Sequence, residues 1–491
     1  PAGLALAIVL QQKNVKDEIF DKESGPTVES RAMGVHARTL ELYEAFGLSD
    51  IAVSKGIPAK EVEFFLEGER QVEFSIENLG TGISKYPYML TLPQDVHEQI
   101  LLQKFADLGG KVHWDHELTE LSQSSAGVAA KFANDKSETL AVECDWMVGC
   151  DGASSKTREV LEIGFGGGTS SGLFFVADAE VETQHKNRIR ASIGESTFGL
   201  MVPMLSSKYQ RLTDDLFPSM KEKENFVFED VRPMLEKLLN VEVKSHNWFS
   251  TYRVHHRVAD TFSKGRVFIA GDAGHIHSPV GGQGMNTSIG DSINLGWKLA
   301  GVTSGQLNPK VLDTYDPERR SFAKLLIKTT DAAFQRITAP RSIWSGVFAF
   351  GLPKILRALT SSARFGSRIF RSVSQIHIGY PQSNLSKSGL GSVKAGQRLP
   401  WDPSGALDAA LFSGNWTIVH FDGLPESLLE ELGHMGIITH RPEYTHRLKT
   451  LGFKSNGVYL VRPDGHVSMG CKIEELGKEL ASVRAEFWVN A

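Results

Sequence analysis

The sequence has few cysteines, no long hydrophobic run and no excess of basic residues. Its three cysteines, Cys144, Cys150 and Cys471, are too few for a disulfide framework and are typical of a reducing compartment such as the cytoplasm. The most apolar stretch, 343–359, is interrupted by glycine, proline and basic residues, so we predict no contact with a membrane. The net charge of −5 argues against nucleic acid as a partner, because that function requires a concentrated basic surface.

The composition is that of an ordinary globular protein, with 41% hydrophobic and 23% charged residues. Periodicity predicts a helix at 4–12 and, directly after it, a short strand at 15–22. Alternation between 174 and 252 predicts a mostly antiparallel sheet. Other predicted helices are 36–46, 95–108, 285–302, 312–337 and 426–432, and other predicted strands are 128–132, 140–148, 266–270, 416–421 and 457–462.

The chain opens on Pro1-Ala2-Gly3, directly before the first predicted helix. This is the second half of a G-x-G-P-A-G turn, whose glycines let the backbone lie against a pyrophosphate at a helix N-terminus. Asp21 follows 18 positions after Gly3, where an acidic side chain at a strand end binds ribose hydroxyls. A turn and an aspartate of this kind also arise by chance, so the pattern alone leaves a dinucleotide site open.

A second motif, Gly149-Cys150-Asp151-Gly152 with Arg158, follows an apolar strand and could equally be a surface turn with a solvated charge cluster. The third motif is more specific. A buried strand ends at Gly271-Asp272, and a glycine-rich loop then leads to a helix that begins with Gly284-Met285-Asn286. The Asp272 carboxylate can accept hydrogen bonds from a polyol. The N-terminus of the following helix, which carries about half a positive charge, favours an anionic ring.

These three motifs, in this order, resemble those of the flavoprotein aromatic hydroxylases, the family of p-hydroxybenzoate hydroxylase and phenol hydroxylase. The segment 31–39 is similar to the family segment that reaches the flavin, and Tyr315-Asp316-Pro317-Glu318-Arg319-Arg320 is similar to the family's terminal helix. The resemblance implies FAD as the cofactor and NADPH or NADH as a transient co-substrate. The residues that it assigns to FAD are Gly3, Asp21, Arg31, Arg38, Gln94, Asp151, Gly152, Arg158, Gly271, Asp272, Pro279, Gly282, Gly284, Met285 and Asn286.

The fold class implied is α/β, with a Rossmann-like FAD-binding domain formed by 1–60, 90–165 and 256–337. A mostly antiparallel substrate domain (61–89 and 166–255) is inserted into it, and a helical connector and linker (338–388) leads to a thioredoxin-like domain (389–491). Val461-Arg462-Pro463-Asp464-Gly465 is the most recognisable piece of that last domain, which contains no C-x-x-C. We therefore expect it to have a structural role or to form a homodimer, without thiol chemistry. Because the family's first strand and first two fingerprint glycines are missing before Pro1, we interpret the sequence as N-terminally truncated.

The implied reaction is hydroxylation of a phenolic or polycyclic aromatic substrate with O2 and NAD(P)H, through a flavin C4a-hydroperoxide. Phe174, Phe198, Met201 and Pro203 are candidate pocket residues, although each could equally pack in a core. No catalytic base is assigned, the candidates being His36, Tyr209, Arg211 and Tyr252.

Two alternatives stay open at the sequence level. A different FAD oxygenase, either a Baeyer-Villiger enzyme or a halogenase, would share the same cofactor motifs. A metal-dependent hydrolase would instead use His275 and His277 beside Asp272 as ligands. We disfavour the hydrolase because a glycine-rich loop that opens a helix is unnecessary for its chemistry.

Overall fold

The computed structural model describes residues 1–28, 30, 32–183, 187–194, 197–205, 208–215, 226–278, 281–338 and 363–489, which form a mixed α/β structure. Among these residues, no helix combines the length and the apolar character needed to cross a bilayer. The opening helix, Ala2–Gln12, packs on Gly284–Thr303 and Gln94–Asp107. Gly296 permits this approach, since a Cβ there would lie 3.0 Å from Val9.

The structure also contains two pairs of parallel strands. Ile19–Phe20 pairs with Val112–His113, and Met147–Gly149 pairs with Val267–Ile269. Parallel strands carry their functional loops at their carboxyl ends. Asp21 follows Ile19–Phe20, Asp151 follows Met147–Gly149, and Asp272 follows Val267–Ile269.

Two predicted strands differ from the observed ones. The predicted strand 15–22 is reduced to Ile19–Phe20. The single strand predicted over 140–148 was wrong, because two strands, Thr139–Cys144 and Met147–Gly149, belong to different sheets and are separated at Asp145. Thr139–Cys144 pairs antiparallel with Val128–Ala133, which pairs antiparallel with Glu117–Gln123 on its other side. Glu117–Gln123 is polar, and hydrophobic alternation did not predict it.

An eight-stranded, mostly antiparallel sheet occupies the middle of the chain. One of its faces is covered by the helix Phe228–Leu239, against which Phe175, Met201 and Leu212 are buried. Met201 therefore lies in this core, the alternative that the sequence had left open. The strand order is His275–Ile276, Glu242–Ala259, Phe165–Glu182, Tyr209–Asp215, Phe198–Pro203, Ile189–Ile193, Glu61–Leu66 and Glu69–Ser75.

The C-terminal part contains a four-stranded sheet. Its order is Ile438–His440, Thr417–His420, Gly457–Val461 and Val467–Lys472, with a parallel first pair and antiparallel neighbours after it. The helices around it are Glu426–His434, His446–Leu451 and Leu476–Phe487. Trp297 joins this part to the first helix layer, since its ring packs 5.5 Å from that of Trp416, which lies 4.9 Å from Trp488.

The remaining elements connect these layers. Gly34–Val35 pairs with Leu90–Thr91, which also pairs with Ile57–Pro58. The long helix Tyr315–Thr338 begins after a 3-10 turn, Pro309–Thr314. Further helices are Ala37–Glu44, Ser49–Lys55, Lys156–Val160, Ala363–Val373 and Asp408–Leu411.

Candidate functional site

The three sequence motifs converge where two neighbouring strands end and the opening helix begins. A Cβ built on Gly3 would lie 3.6 Å from Cys150, and one built on Gly271 would lie 3.4 Å from Ala2. The Ala270 N–H donates to the Gly149 carbonyl at 3.0 Å, which joins the second and third motifs through their backbones. Burial raises the pKa of the Cys150 thiol to about 12, so it stays neutral there.

The turn after strand Val267–Ile269 presents Asp272. Gly271 adopts φ +65°, a conformation that favours glycine, and begins a short 3-10 turn. The Asp272 side chain is exposed, yet the surrounding protein removes enough solvent to raise its pKa. An accessible carboxylate in partly desolvated surroundings is suited to accept hydrogen bonds from hydroxyl groups.

The second motif is held by its own hydrogen bonds. Asp151 accepts from Ser155 Oγ at 2.6 Å and from the Thr157 N–H at 2.8 Å, and so caps the helix Lys156–Val160. Arg158 donates to the carbonyls of Ala153 at 2.7 Å and Ala273 at 2.9 Å. Arg158 thus ties this motif to the Asp272 turn. Gly152 has φ +76° and open space around its Cα.

The glycine loop before helix Gly284–Thr303 contacts the segment around residue 34. A Cβ on Gly34 would lie 3.7 Å from the Gly282 carbonyl oxygen. Asn286 joins the two segments: its amide donates to the carbonyls of Gly34 at 2.8 Å and Gly282 at 2.9 Å, and its oxygen accepts from the His36 N–H at 2.8 Å. The Asn286 side chain therefore forms its hydrogen bonds within the protein. Its role toward a ligand is to fix the conformation of the glycine loop.

His36 is also bound to this loop, through an Nε2–H that donates to the Gly281 carbonyl at 2.7 Å. Burial lowers its pKa to about 4, so the ring is neutral. Gln94 begins its helix with an N–H that donates to Ser30 Oγ at 2.7 Å. Asp21 accepts from the Glu23 N–H at 3.0 Å, and burial raises its pKa.

The other predicted residues fall into three groups. Arg31 and Pro279 lie outside the described residues. Gly284 and Met285 form the first turn of the long helix, beside the loop. Arg38 is buried and donates to Glu41 and to the Asp464 carbonyl, which places its guanidinium at the contact with the C-terminal part.

The predicted hydrolase histidines have separate partners. His275 Nε2 donates to Asp291 at 2.7 Å, and His277 Nδ1 donates to the Ser278 carbonyl at 2.8 Å. Within the described ranges, no three histidine, cysteine or acidic side chains form a group that could bind a metal.

Sequence reasoning missed Asp291, a fully buried carboxylate in helix Gly284–Thr303. It accepts from the Gly271 N–H at 3.1 Å and from Arg319 Nε at 2.6 Å. Burial raises its pKa, but Arg319 and His275 outweigh burial and lower it overall. An aspartate among the small and apolar residues of this helix was the available signal.

These residues fit a flavin dinucleotide. The strand ends offer glycine backbone for a pyrophosphate, Asp272 offers an accessible carboxylate, and a 20-residue helix points its N-terminus at the loop. His277 Nε2 is buried without a hydrogen-bond partner among the described residues and lies 3.8 Å from a Cβ built on Gly284. A ligand atom beside the first turn of the helix would satisfy that nitrogen.

Such a fold and site define a nucleotide-binding flavoprotein. The family described as FAD binding domain matches residues 1–330, and the chain belongs to it. It is similar to 6-methylpretetramide 4-monooxygenase of Streptomyces rimosus, with 31% identity over 95% of this chain and 88% of that protein. It is also 27% identical to rifampicin monooxygenase of Rhodococcus hoagii, over 98% of this chain and 96% of that one.

The solved structures agree. Anhydrotetracycline hydroxylase OxyS of Streptomyces rimosus matches with a TM-score of 0.78 at 25% identity, over 99% of this chain and 97% of that one. Aklavinone-11 hydroxylase, solved with FAD and aklavinone, matches in fold with a TM-score of 0.80 at 21% identity, over 99% and 96% of the two chains. The protein is a FAD-dependent monooxygenase, as its sequence motifs predicted.

We predict that Gly271→Ala weakens FAD binding by about tenfold or more, because an L side chain is strained at φ +65° and its Cβ would lie 3.1 Å from Ser288. FAD titration by flavin fluorescence measures this. The matched control is Gly305→Ala, which has a similar φ of +73° and nothing within 4 Å of its Cβ. Equal FAD affinities in the two variants would show that the Gly271 turn does not shape the site.

Proposed function

We propose that the protein hydroxylates a phenolic, polycyclic aromatic substrate with NAD(P)H and O2, and that Tyr252 orients the substrate. The main support is the face of the eight-stranded sheet opposite the helix Phe228–Leu239. The register places Phe174, Val176 and Asp178 opposite Tyr252, Ser250 and Trp248 on one face, while Phe175 and Ala177 face the helix-covered core.

Arg211 orients that face toward the flavin loop. Its guanidinium pairs with Asp178 at 2.5 and 2.9 Å, and it donates to the Ser30 carbonyl at 2.5 Å. Ser30 precedes the segment that contacts the glycine loop at Gly34. The face that carries Tyr252 therefore opens toward the nucleotide site, and the other face does not.

Among the candidate bases, Tyr252 is the best placed to contact a substrate. His36 is committed to Gly281, and Arg211 to Asp178. Burial raises the pKa of Tyr252 and outweighs its side-chain hydrogen bond with Thr213, so its hydroxyl stays protonated near neutral pH and can donate to a phenolic oxygen. Phe174 packs 5.8 Å from the Tyr252 ring and supplies apolar surface for an aromatic ligand.

FAD, when bound, would supply the redox chemistry, namely hydride acceptance from NAD(P)H and activation of dioxygen. The protein binds it through Gly3, the Asp272 turn and the helix that begins at Gly284. The apolar side chains beside Tyr252 exclude water from the reacting atoms, and Tyr252 fixes the orientation of the ring. The substrate class is supported by the relatives described above, whose names specify 6-methylpretetramide, anhydrotetracycline and rifampicin.

We also propose the domain organisation. Residues 1–60, 90–165 and 256–337 form a Rossmann-like FAD-binding domain, and 61–89 with 166–255 form the inserted substrate domain, which the sheet order supports by pairing Glu61–Leu66 with Ile189–Ile193. Residues 338–388 connect to a thioredoxin-like domain, 389–491. The parallel and antiparallel pairing in its sheet supports that assignment. A homodimer and a cytoplasmic location complete the proposal, the latter supported by three unpaired cysteines.

The reaction is tested by incubating the holoenzyme with NADPH, labelled dioxygen and a panel of polycyclic phenols. We expect accelerated NADPH oxidation and one labelled hydroxyl on the aromatic ring. A labelled lactone or ester would indicate Baeyer-Villiger chemistry, and chlorination in the presence of chloride would indicate a halogenase. Either result would contradict the proposal.

We predict that Tyr252→Phe raises KM for the phenol about tenfold and leaves FAD affinity unchanged, because it removes one hydrogen bond at the substrate. Tyr444→Phe is the matched control, since its hydroxyl donates to the Phe453 carbonyl at 2.9 Å in the C-terminal part. If both variants keep the KM of the parent, Tyr252 does not contact the substrate.

A further inference from the structure

The turn that presents Asp272 is fastened on both sides by one buried carboxylate. Asp291 Oδ2 accepts from the Gly271 N–H at 3.1 Å and from His275 Nε2 at 2.7 Å, and these two residues flank Asp272 in the sequence. The Gly271 N–H points to a side chain of another element, so the conformation of this turn depends on the position of Asp291.

Asp291 is held in turn by Arg319. The guanidinium donates to Asp291 Oδ1 at 2.6 Å, to the Thr287 carbonyl at 3.1 Å and to the Tyr380 hydroxyl at 2.7 Å. All of these side chains are buried. Hydrogen bonds between charged groups in such surroundings are directional and strong, so a shift of Arg319 would be passed to Asp291.

Tyr380 belongs to a segment, 374–380, that braces the same helix at a second point. Gln375 donates to Thr287 Oγ1 at 2.9 Å and to the Gln283 carbonyl at 3.3 Å, at the first turn of helix Gly284–Thr303. Gln375 has φ +64°, a conformation that costs a non-glycine residue energy and that its hydrogen bonds compensate. This segment, the brace, thus contacts both Arg319, through Tyr380, and the N-terminus of the helix, through Gln375.

We propose that Asp291 is a positioning residue for FAD, and that Arg319 and the brace hold it in place. Asp291 does not itself contact the cofactor. It sets the direction of the Asp272 carboxylate, while Gln375 and Tyr380 fix the helix N-terminus relative to it. The proposal rests on the assignment of the Asp272 turn to FAD, and it makes cofactor retention depend on residues beyond the family match of 1–330.

The test compares Asp291→Asn with Glu318→Gln. Glu318 is the neighbour of Arg319 and is also buried. Its partners, Asn294, Lys298, Ser383 and Arg462, do not include a residue of the Asp272 turn. Both variants lose one buried negative charge, so a general loss of stability affects both. FAD dissociation constants and the visible spectrum of bound flavin are measured below the melting temperature of either protein.

We expect Asp291→Asn to weaken FAD binding at least tenfold and to shift the flavin bands at saturating FAD, because an amide cannot accept all three hydrogen bonds. Glu318→Gln should bind FAD as the parent does. Tyr380→Phe removes a single hydroxyl and should weaken FAD about threefold, which keeps the test decisive if Asp291→Asn does not fold.

Equal FAD affinity in Asp291→Asn and Glu318→Gln, or parental affinity in Tyr380→Phe when the asparagine variant is insoluble, would overturn the proposal. Asp272→Ala separates the two levels of the argument. If Asp272→Ala loses FAD while Asp291→Asn does not, only the positioning role of Asp291 is contradicted. If Asp272→Ala also retains FAD, the assignment of the turn to the cofactor fails with it.

Discussion

Replacing Asp272 with alanine is expected to weaken FAD binding by about tenfold to a hundredfold for each hydrogen bond lost. A hydrogen bond to a charged acceptor contributes about 1.5 to 3 kcal/mol, and about 1.4 kcal/mol corresponds to a factor of ten. The side chain is exposed at the end of a buried strand, so its removal leaves no cavity in the core. The effect should therefore appear in the dissociation constant and not in the melting temperature.

Asp107→Ala is the matched control, because that carboxylate is also exposed and accepts one hydrogen bond, from Gln103 at 2.8 Å. Its FAD affinity should equal that of the parent. The pH dependence gives a second readout. The surrounding protein removes solvent from the Asp272 carboxylate and raises its pKa, so acidification should weaken FAD binding at a higher pH than for an ordinary aspartate. If the Asp272→Ala variant binds FAD as tightly as the Asp107→Ala variant, the Asp272 carboxylate does not bind FAD.

The second large effect is expected at Glu318, on stability. Glu318 accepts from Arg462 at 2.7 and 2.9 Å and from Lys298 at 2.9 Å, and all three are buried. Glu318→Gln leaves two buried cations short of one negative charge, so we expect the free energy of unfolding to fall by about 3 kcal/mol or more. Urea unfolding measures this. The control, Glu159→Gln, breaks only an exposed pair with Lys156 and should cost less than about 1 kcal/mol.

We also expect the buried cluster of Glu318, Arg462 and Lys298 to make the stability of the fold sensitive to acid. Burial raises the pKa of Glu318, but Arg462 and Lys298 outweigh it and lower the pKa far below 4.5. A carboxyl with a depressed folded pKa contributes stability that is complete above the unfolded value and is lost as the pH falls below it. Stability should therefore decrease from about pH 4.5 downward in the parent, with a shallower slope in Glu318→Gln. Parallel slopes in the two proteins would contradict this account.

The motifs of the proposed cofactor site could be recognised in the sequence because their signals are local. Asp151, Gly271 and Asp272 each follow a strand within a short motif, and Gly3 lies in the first turn of the opening helix. Strand ends meet at one edge of an α/β sheet without further information. The helix at 285–302 was predicted from periodicity and is observed as Gly284–Thr303. The eight-stranded sheet was predicted as antiparallel from alternation between 174 and 252.

Partners distant in sequence could not be predicted in this way. Arg38 was assigned to the cofactor from its motif, and its observed contact with Asp464 joins residues 426 positions apart. Asp291 became visible only when the fold brought Gly271, His275 and Arg319 around it. The strand Glu117–Gln123 was missed because polar side chains on an exposed sheet carry no hydrophobic alternation.

The proposed FAD site is formed by two strand ends and two helix N-termini. Hydrogen exchange of the full chain with and without saturating FAD tests this central claim most directly. We expect protection at residues 2–5, 149–153, 271–273 and 284–287, with the eight-stranded sheet unchanged apart from its face around Tyr252. FAD binding that leaves these four segments unprotected would contradict the account.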